Sequence, residues 1–156
     1  MDRPGGDEED FEVERTAERT VVAATPARCI EVVCDVEAYP QWVADVKDVR
    51  VLERDGDGRA AVVAFRAGAF GRSTSYVLAY DYSRLPAEVS WSQRDGDITR
   101  SLDGSYQFVP TAEGTEVVYE LEIDLRVPVP GFVRRRAESQ ILHAALRDLK
   151  SRVESS

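Results

Sequence analysis

The sequence has few of the residue types that build metal centres, disulfide frameworks or membrane spans. It contains only two cysteines and one histidine. No apolar run is long enough to cross a bilayer, and the N-terminus lacks the basic-then-apolar order of a signal peptide. Cys29 and Cys34 would face different sides of a predicted helix, so we interpret them as reduced, partly buried thiols. These features predict no metal site, no cofactor, no integral membrane association and a cytoplasmic location.

Basic residues are also scarce relative to acidic ones. The 156 residues include 29 acidic and 20 basic side chains, which give a formal net charge of -9. A chain this acidic is a poor ligand for nucleic acid, since binding to phosphates needs positive charge. We therefore predict no nucleic-acid partner. The sequence leaves the oligomeric state open between a monomer and a homodimer.

The length suits one domain with a substantial core. Residues 1–10 are polar, acidic and rich in glycine, and they are predicted to be a disordered tail. A single domain is predicted over residues 11–156, beginning with a strand. Thr25 and Pro26 then have the pattern of a helix N-cap and first helical position. Pro40 disfavours a helical Tyr39, so the first helix is expected to end or kink there before a second short helix.

Six further strands in hairpin succession are predicted after these two short helices. Asp55-Gly56 marks the first tight turn, and Asp103-Gly104 suggests a bulge inside a long strand. The last strand alternates cleanly, with one apolar row formed by Val117, Tyr119, Leu121, Ile123 and Leu125. A long helix is predicted over residues 132–153, with one apolar stripe that must pack on the sheet. The predicted class is α+β: a helix-grip with a seven-stranded antiparallel sheet wrapped around the C-terminal helix, and a pocket between them.

This order of elements resembles the START-like superfamily, also called SRPBCC or Bet v 1-like. Within it the chain looks like the bacterial polyketide cyclase/dehydrase and coenzyme-Q-binding group. The matching segments are ATP (24–26), VEAYPQW (36–42), LDGSY (102–106), GTEV (114–117) and LRDLK (146–150). The resemblance implies the helix-grip fold over about residues 11–153. It also implies a ligand cavity, in a superfamily whose members include carriers, cyclases, sensors and assembly factors.

Polar residues that could act inside such a cavity are few. Arg100 has the same strand parity as Leu102 and Tyr106, which points it inward unless a bulge intervenes. A buried guanidinium needs an anionic partner, and Glu138, on the apolar sector of the last helix, is a candidate. In the alternative reading Arg100 lies at a strand edge or past a bulge, and Glu138 faces solvent. His143 is expected on the polar face of the same helix.

Trp42 has two readings: it lines or gates the cavity, or it plugs one end of the core. The full set of candidate ligand-binding residues is Trp42, Tyr76, Trp91, Arg100, Tyr106, Tyr119, Leu121, Glu138 and Leu142. The sequence assigns no catalytic residue.

Three functions remain open at this point. The first is a binding module that holds a hydrophobic small molecule such as a lipid, quinone or polyketide. The second, which the resemblance suggests, is a polyketide cyclase/dehydratase of the aromatase type acting on a poly-β-keto substrate. There Arg100 would polarise a carbonyl, and Tyr119 or Glu138 would move a proton. The third is a non-catalytic accessory factor that acts through its surface.

Overall fold

A computed structural model describes residues 15–69 and 71–155. The predicted tail at residues 1–10 and the start of the first strand at residue 11 lie outside these residues. Within the described chain, the strands are β1 (Thr16–Val22), β2 (Val46–Arg54), β3 (Ala60–Ala69), β4 (Arg72–Asp81), β5 (Glu88–Gly96), β6 (Thr99–Thr111) and β7 (Gly114–Leu125). The α-helices are α1 (Pro26–Cys34), α2 (Tyr39–Trp42) and α3 (Gly131–Glu154).

The described strands form one seven-stranded sheet in the order β1-β7-β6-β5-β4-β3-β2. Each neighbouring pair is antiparallel, as expected for strands joined mainly by hairpins. The predicted helix-grip architecture is confirmed. None of the helices in residues 15–69 and 71–155 is long and apolar enough to cross a membrane.

The start of α1 follows the sequence prediction, but its end does not. The Thr25 side chain accepts a hydrogen bond from the amide of Arg28 at 3.2 Å and so caps the helix. The helix ends at Cys34, and a short 3₁₀ turn (Val36–Ala38) leads into α2. Tyr39 is helical, so the expectation that it leaves the helix is wrong. Pro40 lies in the first turn of α2, where its missing N–H costs nothing.

The core lies between the concave face of the sheet and α3. The predicted inward row of β7 is buried from Val117 to Leu125 at every second residue. The core-facing residues of α3 recur at helical spacing: Glu138, Leu142, Leu146, Leu149 and Val153. His143 is exposed, as expected. Burying a large aliphatic side chain typically contributes about 1.5–3 kcal/mol, so this stripe firmly holds α3 against the sheet.

Candidate ligand cavity

A cavity of about 130 Å³ lies between the sheet and α3. Strands β3 to β7 supply most of its wall, and α3 contributes Ile141, Ala144, Ala145 and Asp148. The only exposed residues among those lining it in the described chain are Ala44 and Asp45. The mouth of the cavity is therefore at the loop between α2 and β2, and we define it by Ala44, Asp45, Gly68 and Asp148.

Two hydrogen bonds hold the mouth in shape. The amide of Ala44 donates to Oδ2 of Asp148 at 3.3 Å, which joins the α2–β2 loop to α3. The amide of Gly68 donates to the backbone carbonyl of Asp45 at 2.8 Å, which joins the same loop to β3. The opening is thus bounded by three separate elements.

Aromatic rings form most of the wall. The rings of Tyr106 and Tyr119 are stacked with centroids 4.4 Å apart, and each has its centroid 5.7 Å from that of Trp91. Aromatic pairs at these separations stabilise one another beyond simple burial. The aromatic residues of the wall are Tyr39, Phe65, Tyr76, Tyr80, Trp91, Tyr106 and Tyr119. A rigid aromatic wall of this kind suits flat, apolar molecules.

Four of these tyrosines, Tyr76, Tyr80, Tyr106 and Tyr119, carry hydroxyl groups with no hydrogen-bond partner among the described residues; we call them the open phenols. Burial raises the pKa of each, and of Tyr76 to about 12. Neighbouring phenols add to the rise in the pKa of Tyr80, Tyr106 and Tyr119. At neutral pH they are uncharged groups that can donate or accept a hydrogen bond.

Trp91 adds another unused donor. Its side chain is 7% exposed, and Nε1 has no hydrogen-bond partner in the described chain. A buried N–H without a partner costs free energy, and because Nε1 is itself fully buried, a ligand oxygen can accept from it only after the wall has moved.

The two threonines of the wall are already satisfied. Oγ1 of Thr74 donates to Asp97 at 2.7 Å, and Oγ1 of Thr99 donates to Gln93 at 2.6 Å. The hydroxyl of Tyr39 likewise donates to the backbone carbonyl of Val33. These three hydroxyls belong to the wall but already have hydrogen-bond partners. The wall groups without a partner in the described chain are the open phenols and Nε1 of Trp91.

Five of the predicted site residues line the cavity: Tyr76, Trp91, Tyr106, Tyr119 and Leu121. Their role in ligand binding stays a prediction. Trp42 and Leu142 are not part of the wall. The ring of Trp42 packs edge-on against Tyr39, with centroids 5.2 Å apart, and Leu142 is fully buried in the core. Trp42 is half-buried and packs against the core, and its role stays a prediction.

The inward placement of Arg100 is wrong. Its side chain is exposed, and Nη1 lies 3.2 Å from Oδ2 of Asp124 on the outer face of the sheet. The β6–β7 register shifts between Thr99 and Ser101, so an extra residue reverses the alternation at this point. The bulge was predicted at Asp103-Gly104, but it lies between Thr99 and Ser101. This agrees with the alternative reading in which a bulge turns Arg100 away from the cavity.

Glu138 is buried, as the apolar sector of α3 suggested, but it is neither a partner of Arg100 nor part of the cavity wall. Oε1 accepts a hydrogen bond from Oγ1 of Thr16 at 2.6 Å, and Oε2 accepts one from the amide of Ile123 at 2.7 Å. The carboxylate thus fastens α3 to β1 and β7. Its proposed role in proton transfer has no support in this geometry.

Sequence reasoning missed several wall residues. Tyr80 has the same parity as Tyr76 in β4, so the alternation of aromatics could have found it. Ile141, Ala145 and Asp148 form a second stripe beside the core stripe of α3. The signal for that stripe was the pair of small residues at Ala144 and Ala145, which leaves space at the sheet.

The two cysteines are free, with Cys29 buried and Cys34 half-buried, and burial raises the pKa of Cys34 to about 11.

A curved antiparallel sheet that grips a long C-terminal helix over an aromatic cavity defines a START-like, or SRPBCC, protein. The family model described as polyketide cyclase / dehydrase and lipid transport matches residues 22–150, and the chain belongs to this family. Among curated proteins, none matches the sequence.

Solved structures agree on the fold. A START superfamily protein from Mycobacterium smegmatis is 26% identical with a TM-score of 0.84, covering 90% of this chain and 97% of that one. The ZhuI aromatase/cyclase from Streptomyces sp. R1128 is 18% identical with a TM-score of 0.79, covering 91% and 94%. A STAR-related lipid transfer protein from Xanthomonas axonopodis is 19% identical with a TM-score of 0.68, covering 88% and 84%. At their low identity the last two show the fold alone.

Proposed function

We propose that this protein binds a hydrophobic small molecule, of the lipid, quinone or polyketide type, in the cavity between the sheet and α3. The observation that carries the proposal is an aromatic wall that contains the open phenols and a Trp91 Nε1 with no hydrogen-bond partner in the described chain. Burial of apolar ligand surface supplies affinity, and the few polar groups orient the ligand. Membership of a family whose description includes lipid transport supports the same function.

The size of the cavity limits what enters in this conformation. A volume of about 130 Å³ is close to that of an engineered cavity of about 150 Å³ that binds benzene in another protein. One ring of a ligand therefore fits in the aromatic wall without rearrangement. A larger molecule places its remainder at the mouth, or enters after the Ala44–Asp148 hydrogen bond has opened.

The test is native mass spectrometry of the purified protein, followed by organic extraction of bound compounds. A co-purifying quinone, lipid or aromatic polyketide supports the proposal and identifies the ligand class. Binding of 2-naphthol should then be measured by calorimetry. An apo mass that does not shift on adding 2-naphthol or a short-chain quinone contradicts the proposal.

A variant that fills the cavity sharpens this test. Ala145→Phe places a ring in the wall and should abolish binding of 2-naphthol. His143→Phe adds a ring to the exposed face of the same helix and serves as the matched control, which should bind like the wild type. Equal binding by both variants would place the ligand elsewhere.

A polyketide cyclase/dehydratase is the second candidate. The observation in its favour is that burial keeps the open phenols protonated, so they can donate to the carbonyl oxygens of a poly-β-keto chain. Tyr119, one of the two residues suggested for proton transfer, lines the cavity, whereas Arg100 and Glu138 lie away from it. Product formation from a poly-β-keto thioester that is lost in Tyr119→Phe supports an enzyme. Binding of the thioester without turnover supports a carrier.

The accessory-factor hypothesis is the least supported. A filled core would favour that hypothesis, whereas the described residues enclose a cavity.

A further inference from the structure

The charged groups of the cavity are all of one sign. Among the described residues that line it, Asp45 and Asp148 are the acidic ones, and none is a lysine, arginine or histidine. Both belong to the mouth: Asp45 is exposed in the α2–β2 loop, and the Asp148 side chain, only 18% exposed, reaches it from α3. A ligand therefore passes between two carboxylates to reach the aromatic wall.

The negative charge of both carboxylates extends to the aromatic wall. Burial is the main cause that raises the pKa of Tyr76, and the Asp45 carboxylate raises it further. Burial likewise raises the pKa of Tyr106, with smaller contributions from Tyr80 and from the Asp148 carboxylate. Each aspartate thus disfavours an anion at a different side of the cavity.

Resting on the proposed function, we infer that Asp45 and Asp148 make the cavity selective for uncharged ring compounds that carry carbonyl or hydroxyl oxygens, and that they exclude free carboxylates. An anionic group bound beside the ring would lose water and meet two like charges, with no cation in the wall to compensate. A neutral carbonyl or hydroxyl at the aromatic wall can accept a hydrogen bond from the open phenols.

Basic side chains do occur nearby, but outside the cavity. Nε of Arg147 lies 3.5 Å from Oδ1 of Asp148, but the Arg147 side chain is 63% exposed and does not line the cavity. Lys47, Arg66 and Arg72 line a neighbouring surface depression that shares only Asp45 and Gly68 with the cavity. All three are exposed, so their interactions are screened by water and salt over about 8 Å at physiological ionic strength. They can attract an anion that remains at the surface, but they do not neutralise one bound at the aromatic wall.

The test compares ligands that differ in charge and hardly in shape: benzamide against benzoate, and 2-naphthamide against 2-naphthoate. The short linkage keeps each carboxylate next to its ring. Calorimetry at neutral pH should show each amide binding about tenfold or more tightly than its carboxylate. A carboxylate that binds as tightly as its amide overturns the inference.

The variant Asp45→Asn/Asp148→Asn then identifies the cause. Asparagine keeps an oxygen that can accept from the amide of Ala44, so the mouth retains its hydrogen bond while it loses both charges. The amide-to-carboxylate ratio should fall to about threefold or less, through tighter carboxylate binding. The control Glu53→Gln/Glu113→Gln removes the same net charge at exposed positions outside the wall and should keep the wild-type ratio.

The outcomes separate this inference from the proposed function. Tight amide binding with an unchanged ratio in the double aspartate variant overturns only the role of Asp45 and Asp148. If none of the four compounds binds to the wild type, the proposed function fails and this inference fails with it.

Discussion

The indole of Trp91 lies over the backbone of Gly104, its partner across the β5–β6 pair. A Cβ on Gly104 would be 2.7 Å from Cζ2 of Trp91 and 2.5 Å from the backbone carbonyl oxygen of Glu120. Real Cβ atoms do not approach other heavy atoms this closely. The glycine therefore allows the indole of Trp91 to lie over the strand backbone, in tilted contact with Tyr106 and edge-on contact with Tyr119, and to form one side of the cavity.

Gly104→Ala should destabilise the fold by about 1–3 kcal/mol, because the backbone of β7 and the indole must both move. Urea unfolding followed by circular dichroism measures the change, and tryptophan fluorescence reports the displaced indole. Gly56→Ala is the control, since a Cβ there meets nothing within 4 Å, and it should change stability by no more than about 0.5 kcal/mol. Equal stability of the two variants contradicts this account.

The strands and the last helix could be predicted because their signals are local and redundant. The alternation in β7 and the apolar stripe of α3 each repeat over several residues, so one misplaced residue changes little. The order of elements then restricts the architecture to a sheet that packs on one helix.

The cavity residues were harder to predict, because single-residue offsets decide which way a side chain points. Arg100 and Leu102 have the same parity in the sequence, yet the bulge between Thr99 and Ser101 places the arginine outside. A bulge of this kind leaves no clear mark in composition, whereas the glycine at 104 suggested one in the wrong place. The sequence predicted the correct face of α3 for Glu138. It could not predict the hydrogen-bond partners, Thr16 and Ile123, because they are distant from Glu138 along the chain.

Glu138→Ala should cost about 3 kcal/mol of stability, because it leaves the Ile123 amide and the Thr16 hydroxyl without their acceptor. Glu138→Gln keeps one carbonyl oxygen in the same place and should lose distinctly less. Chemical denaturation of the three proteins gives the comparison. An alanine variant as stable as the wild type would show that these two hydrogen bonds contribute nothing net to the attachment of α3.

Two buried phenols should respond oppositely to loss of the hydroxyl. The Tyr82 hydroxyl donates to the backbone carbonyl of Ala60 at 2.6 Å and lies outside the cavity wall, so Tyr82→Phe should cost about 1 kcal/mol of stability and leave ligand affinity unchanged. Tyr119→Phe removes a hydroxyl that has no partner in the described chain. It should leave stability within about 0.5 kcal/mol and weaken binding of 2-naphthamide several-fold.

Thermal or urea unfolding and calorimetry on the same protein samples measure both quantities. The opposite pattern, in which Tyr119→Phe loses stability and Tyr82→Phe loses affinity, would mean that the hydroxyl of Tyr119 serves the fold and not a ligand.

The open phenols also predict how the fold fails at high pH. Burial raises the pKa of Tyr76 from 10.0 to about 12, and the pKa values of Tyr80, Tyr106 and Tyr119 are raised as well. Above pH 10 the unfolded chain therefore releases phenol protons that the folded chain retains. The stability that these groups contribute is fully present below pH 10 and is lost as the pH rises towards 12 and beyond.

Alkaline titration should accordingly show tyrosinate absorbance of the buried phenols rising together with the loss of the circular dichroism signal, in one cooperative step. Tyr76→Phe removes one of the shifted groups, so its free energy of unfolding should fall less steeply with pH between 10 and 12. If instead all six tyrosines of the chain ionise near pH 10 while the circular dichroism signal is unchanged, the phenols are in contact with water. That result would also remove the support that their burial gives to a closed, apolar ligand cavity.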